Sequence, residues 1–98
     1  MTLSVKHELT QEEALKRVKG LISQLTEENA GRITSAKEDW QENKGVFEFS
    51  AMGYTLTGET VVNNNSVDID AKLPFSLTLF QGAIKDTINK KLTELLKA

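Results

Sequence analysis

The chain has no cysteine. That rules out disulfides and thiolate zinc sites, and it suits a reducing compartment. Histidine, tryptophan and proline each occur once, as His7, Trp40 and Pro74. Positive charge is not in excess: 12 Lys and Arg stand against 14 Asp and Glu, for a net charge of −2, with both signs interspersed. A basic face of the kind that holds nucleic acid is therefore not expected. Long apolar runs are missing as well. No segment approaches the roughly 20 residues of a membrane span, and the opening MTLSVKHELT carries no apolar run of signal-peptide length. There is no G-x-x-x-x-G-K-[ST] loop, no G-x-G-x-x-G and no serine in a G-x-S-x-G elbow. A soluble, cytoplasmic protein without cofactor or metal is the expectation.

The remaining composition is that of an ordinary globular chain: 98 residues, 39% hydrophobic and 27% charged. This length predicts one domain over residues 1–98, too short for a large cleft between lobes. Leu3, Val5, His7 and Leu9 alternate with Ser4, Lys6 and Glu8, which predicts a strand with one buried face. Thr10 and Glu13 then form a capping-box pair, with acids at the positive end of the helix dipole. Ala14, Leu15, Val18, Leu21, Ile22 and Leu25 recur at helical spacing. The helix should run from about Gln11 to Glu28 and stop before Asn29-Ala30-Gly31. Gly20 within it is expected to allow close approach to a sheet.

Short strands follow. Residues 33–42 form the first, anchored by Trp40. Asn43-Lys44-Gly45 reads as a turn in which the glycine takes positive φ. Phe47, Phe49 and Ala51 alternate with Glu48 and Ser50, and Gly53 permits a tight reversal. Tyr54 to Val62 is the next strand, with Gly58 a bulge or close-contact point. Asn63-Asn64-Asn65 turns the chain into a strand on which Val67, Ile69, Ala71 and Leu73 alternate with Asp68, Asp70 and Lys72. Such short connections predict an antiparallel four-stranded meander. After Pro74 a helix is expected from about Ser76, burying Phe80, Ile84 and Ile88, with Ala83 and Leu96 widening the stripe. Lys85, Asp86, Asn89, Lys90, Glu94 and Lys97 make its wet face, and lysines near its end complement the dipole. The fold class is α+β: a β-α-β-β-β-β-α two-layer sandwich, its antiparallel sheet packed by two helices. If the sheet curls around the last helix, the arrangement is helix-grip-like.

The candidates for chemistry are few. His7 shares parity with Leu3 and Val5 and reads as a satisfied core residue, since a base or metal ligand needs a partner group. Asp68 and Asp70 point to one face, which is the predicted solvent face. Trp40, Phe47, Phe49 and Tyr54 could stack bases, but without an interleaved basic stripe they read as core.

The segment LPFSLTLF, residues 73–80, stands out by its apolar density. Pro74 marks the strand-to-helix junction. Leu77 and Leu79 differ by about 200° on an α-helix and cannot share the centre of one stripe, while Phe75 is placed to act as a staple. At least one large apolar group is expected at the surface or at a pocket mouth. The outcomes are a fully buried corner or an apolar contact patch. Leu73, Phe75, Leu77, Leu79 and Phe80, with Trp40 and Tyr54 nearby, are the candidate binding residues.

The order and length of these features resemble the polyhydroxyalkanoic acid system proteins. The likeness runs from about Ser4 to Leu96. It rests on His7-Glu8-Leu9, an Ala-bearing helix, Trp40 before a turn, Phe47 and Phe49, Gly53 and Gly58, and Leu73-Pro74-Phe75 leading into Ile84-Lys-Asp-Thr-Ile-Asn-Lys-Lys-Leu92. Pro74 stands where the family tends to have glycine. The resemblance implies a small non-enzymatic accessory or regulatory protein at polyhydroxyalkanoate granules, touching the granule surface or granule proteins. It supplies no catalytic residues. Two other readings stay open: a helix-grip carrier or enzyme with an internal cavity and inward polar groups such as His7 or Tyr54, and a homodimer joined through the apolar junction or an edge strand.

Overall fold

The computed structural model describes residues 1–28, 31, 33–51 and 53–97. In chain order these form β1 (Thr2–Lys6), α1 (Gln11–Glu28), β2 (Ile33–Gln41), β3 (Lys44–Ala51), β4 (Tyr54–Val62), β5 (Ser66–Lys72), a 3-10 helix (Phe75–Phe80) and α2 (Gln81–Leu95). The strands make one antiparallel sheet in the order β1-β5-β4-β3-β2. The meander of four strands is as expected, and β1 joins it beside β5. Leu3 and Val5 of β1, Val67, Ile69 and Ala71 of β5, and Thr60 and Val62 of β4 are buried on one face, together with Ala14, Val18, Leu92 and Leu96 of the helical layer. Both helices thus cover one side of the sheet, giving the α+β sandwich.

Local chemistry explains the boundaries of α1. The Thr10 hydroxyl accepts the Glu13 backbone N–H at 3.1 Å, capping the first turn. The Glu13 carboxylate is taken by Arg17, whose Nε donates to Oε1 at 3.0 Å. The expected stop at Asn29-Ala30-Gly31 falls largely on residues outside those described, as do the side chains of Ile22 and Leu25. Gly20 faces open space rather than the sheet, so the close approach expected there does not occur.

Two other glycines do lie under side chains. Gly58 pairs with Phe47 across β4 and β3, and a Cβ at Gly58 would fall 2.6 Å from the Phe47 ring and 2.5 Å from the Asp70 carbonyl oxygen. Gly45 pairs with Trp40, and a Cβ there would fall 2.7 Å from the indole. In each pair the ring lies over backbone that only glycine leaves bare. Gly45 is therefore a strand residue and not the turn glycine expected. The turn is Glu42-Asn43, closed by the Gln41–Lys44 pair, and it is Glu42 that takes a left-handed φ of 56°. Asn43 fastens this turn to β4: its Nδ2 donates to the Val62 carbonyl at 2.9 Å, and its own carbonyl accepts the Val62 N–H at 2.9 Å.

The helices overlap over only part of their lengths. Arg17 Nη1 donates to the carbonyls of Leu95 (3.1 Å) and Lys97 (2.6 Å). At the other end of α1, Glu28 meets Lys91 at 3.2 Å. The last turn of α2 contains no basic residue, so its exposed carbonyls are served by Arg17 from α1 rather than by the helix's own lysines. Arg17 and Glu28 are 11 residues apart on α1 while their partners Leu95 and Lys91 are four apart on α2, so the helices cross rather than run side by side.

Candidate apolar site at the strand-to-helix junction

The chain enters α2 through a junction that begins at Pro74. Its φ of −56° and ψ of 148° are extended, and it has no N–H to continue the ladder, whose last β4 pair is Thr57 with Lys72. The chain then winds as a 3-10 helix. The Leu77 N–H donates to the Pro74 carbonyl at 2.9 Å, and Thr78 Oγ1 donates to the Phe75 carbonyl at 2.8 Å. The α-helix expected from about Ser76 starts only at Gln81.

The tighter winding decides what is exposed. With about three residues per turn, positions two apart point in different directions. Phe75, Leu77 and Leu79 therefore leave the axis three ways, and the body of the protein covers one of them. Leu77 is half-buried, whereas Phe75 is 92% and Leu79 91% exposed. Phe80 lies on the same edge as Leu77 but beyond the covering body, at 58% exposure. Three expectations are thereby corrected. Phe75 is not a buried staple, Phe80 does not join Ile84 and Ile88 in a buried stripe, and Ala83 is exposed rather than part of it. A fully buried corner does not form.

Leu73 precedes the junction, half-buried, one residue past the pairing of Lys72 with Thr57 and so beside Leu56. Tyr54 begins β4 at this same end and is 39% exposed. Trp40 is elsewhere. It sits on the edge strand β2, level with Gly45, Thr60 and Ile69 by the strand registers. It packs against the core, with the Lys19 ammonium 5.7 Å from its ring centroid. The fold thus gathers Leu73, Phe75, Leu77, Leu79, Phe80 and Tyr54 at one end and leaves Trp40 apart. The Trp40 Nε1 is buried without a hydrogen-bond partner.

Behind the junction is a cavity of about 100 Å³, walled by Phe49 and Leu56 of the sheet, Val18 and Leu21 of α1, Leu73, Ile84 and Ile88, with Leu92 at its deep side. Among the described residues Thr60 is the one polar side chain in the wall. At roughly 24 cal/mol per Å³, an empty apolar void of this size costs on the order of 2 kcal/mol. The sequence marked Ile84 and Ile88 as core and Phe49 as one face of a strand. In the structure all three are half-buried around this cavity.

Neither polar group considered for a cavity lies in it. His7 is buried at the far end, where its Nε2–H donates to the Asn63 carbonyl at 3.0 Å and its Nδ1 accepts the Leu9 N–H at 3.1 Å. Both ring nitrogens are thereby spent on holding the β1–α1 connection against the β4–β5 turn, as befits a satisfied core residue. Asp68 is likewise occupied, accepting from Ser4 Oγ at 2.5 Å and Asn63 Nδ2 at 2.8 Å. Among the described residues no three or more His, Cys, Asp or Glu are grouped to hold a metal ion, and no helix is long and apolar enough to cross a membrane.

A family model described as "Putative polyhydroxyalkanoic acid system protein" matches residues 1–96. No curated protein and no solved structure matches the chain. The match spans both the packed sandwich and the exposed junction, and by it the chain belongs to the polyhydroxyalkanoic acid system protein family.

Proposed function

We propose that the chain acts as a single-domain, non-enzymatic accessory protein of the cytoplasm that docks on the apolar surface of polyhydroxyalkanoate granules. Phe75, Leu79 and Phe80 make the contact, flanked by Leu73, Leu77 and Tyr54, while Trp40 stays with the core. The observation that carries this reading is the near-complete exposure of Phe75 and Leu79 on one short helix. Transfer of such a side chain from water to an apolar phase is worth about 1.5–3 kcal/mol before the cost of association. Purified protein is expected to co-sediment with granules, and Phe75→Asp or Leu79→Asp to weaken this about tenfold or more, the loss of one such contact, with the thermal midpoint unchanged. Wild-type protein left in the supernatant would refute the proposal. The same exposed groups also suit pairing of two copies of the chain. In that case light scattering reports a dimer, and the two aspartate variants a monomer.

A further inference from the structure

The cavity behind the junction is sealed at one end and graded towards solvent at the other. Leu92 and Ile69 at its deep side are buried, and Leu73, Leu56, Phe49, Ile84 and Ile88 are half-buried. Leu73 and Ile84, which both line it, bracket the exposed 3-10 helix in the chain, so the helix that carries Phe75 and Leu79 stands at its rim. Pockets for whole drug-sized ligands measure about 300–1,000 Å³, and about 100 Å³ is far too small for one. An apolar cavity of about 150 Å³ takes a six-carbon benzene ring; two thirds of that volume takes about four carbons. Among the described residues the walls offer no charge and no amide, only the hydroxyl of Thr60.

We infer that this cavity is a binding slot for the end of a single short alkyl chain, about four carbons deep, whose polar remainder stays outside at the rim. The chain comes either from a small free amphiphile or from a side chain of the polymer surface. Its source in polymer rests on the granule-docking reading, but binding of a free alkyl group does not.

The test titrates the full chain, carrying labelled Leu and Ile methyl groups, with linear 1-alkanols from ethanol to hexanol. Saturable shifts at Leu56, Ile84 and Ile88 are expected. Affinity should rise about fourfold per methylene up to butanol, the gain from burying one CH₂, and much less steeply beyond. Ile88→Phe, which fills the slot, should lower butanol affinity at least about tenfold; Leu56→Phe serves if the first variant fails to fold. Phe75→Asp should leave alkanol binding intact while reducing adsorption to polymer. A second arm compares polyhydroxyalkanoate particles bearing methyl side chains with particles bearing propyl or longer ones. Tighter adsorption to the longer chains, abolished by Ile88→Phe, assigns the alkyl group to the polymer. Equal adsorption, with the alkanol result as expected, assigns it to a free amphiphile. Absence of saturable shifts in the wild-type chain, shifts away from these methyls, or butanol affinity unchanged in both filling variants would overturn the inference. Failure to adsorb to any particle while butanol still binds would refute granule docking and leave the slot standing.

Discussion

At the end of the sandwich marked by His7, Ala14, Val62, Val67 and Leu92 are completely enclosed, and Val18 and Leu96 nearly so. At the end marked by Pro74, side chains at least as apolar are half-buried or bare: Phe49, Leu56, Leu73, Ile84 and Ile88 in part, Phe75 and Leu79 almost wholly. Composition does not separate the two ends; reach does. One end has α1, the last turns of α2 and the turn at Asn63 closing over the sheet, tied by Arg17 to the Leu95 and Lys97 carbonyls and by His7 to Asn63. The other has the first turns of α2 and a 3-10 helix whose pitch scatters its apolar groups. Burial is thus concentrated at the His7 end, and apolar surface is offered at the 3-10 helix.

This contrast can be broken at several points. The largest effect is expected from Leu92→Ala, which should lower stability by about 3 kcal/mol in urea denaturation, as for a fully buried leucine. Leu79→Ala should stay within about 0.5 kcal/mol of the parent. Comparable losses from the two would mean that the ends do not differ as described. Glycines sharpen the same point. Gly58→Ala drives a methyl into the Asp70 carbonyl and the Phe47 ring and should cost about 2 kcal/mol. Gly20→Ala enters open space on an exposed helix face and should raise stability by about 0.5–1 kcal/mol, seen as an upward shift of the thermal midpoint. The smallest effect belongs to the Glu42 turn. Glu42→Gly relieves the left-handed strain, offset in part by the greater freedom of glycine when unfolded, for a net gain of about 0.5 kcal/mol. A loss of stability there would show that the Glu42 side chain contributes something beyond its backbone.

Much of this fold is legible from periodicity. The limits of α1 at Gln11 and Glu28, and of β4 at Tyr54 and Val62, coincide with where the helical and alternating patterns start and stop. The parity of Leu3, Val5 and His7 correctly places all three in the buried layer. Legibility fails where a residue's role depends on its neighbour across the sheet. Gly45 carries a turn signal in its local sequence, but Trp40 lies opposite and needs bare backbone beneath its ring. It fails again at residues 73–80. Leu73, Phe75, Leu77 and Leu79 continue the period-two alternation of β5, while Phe80, Ile84 and Ile88 begin a helical stripe. The segment adopts neither pattern, because Pro74 ends the ladder and the chain takes the tighter 3-10 winding. An unmatched period is what leaves Phe75 and Leu79 bare. The cavity was hidden for a related reason: its wall is assembled from residues far apart in the chain, Val18 and Leu21 of α1, Phe49 and Leu56 of the sheet, and Ile84 and Ile88 of α2.

The account turns on the Pro74 end being the face that meets an apolar phase. Amide hydrogen exchange, measured on the chain free in solution and adsorbed to polyhydroxyalkanoate particles, tests this most directly. Slowed exchange confined to residues 75–88, with rates near His7, Asn63 and Leu92 unchanged, is the predicted result. Protection centred on the His7 end, or spread evenly over both ends, would contradict it.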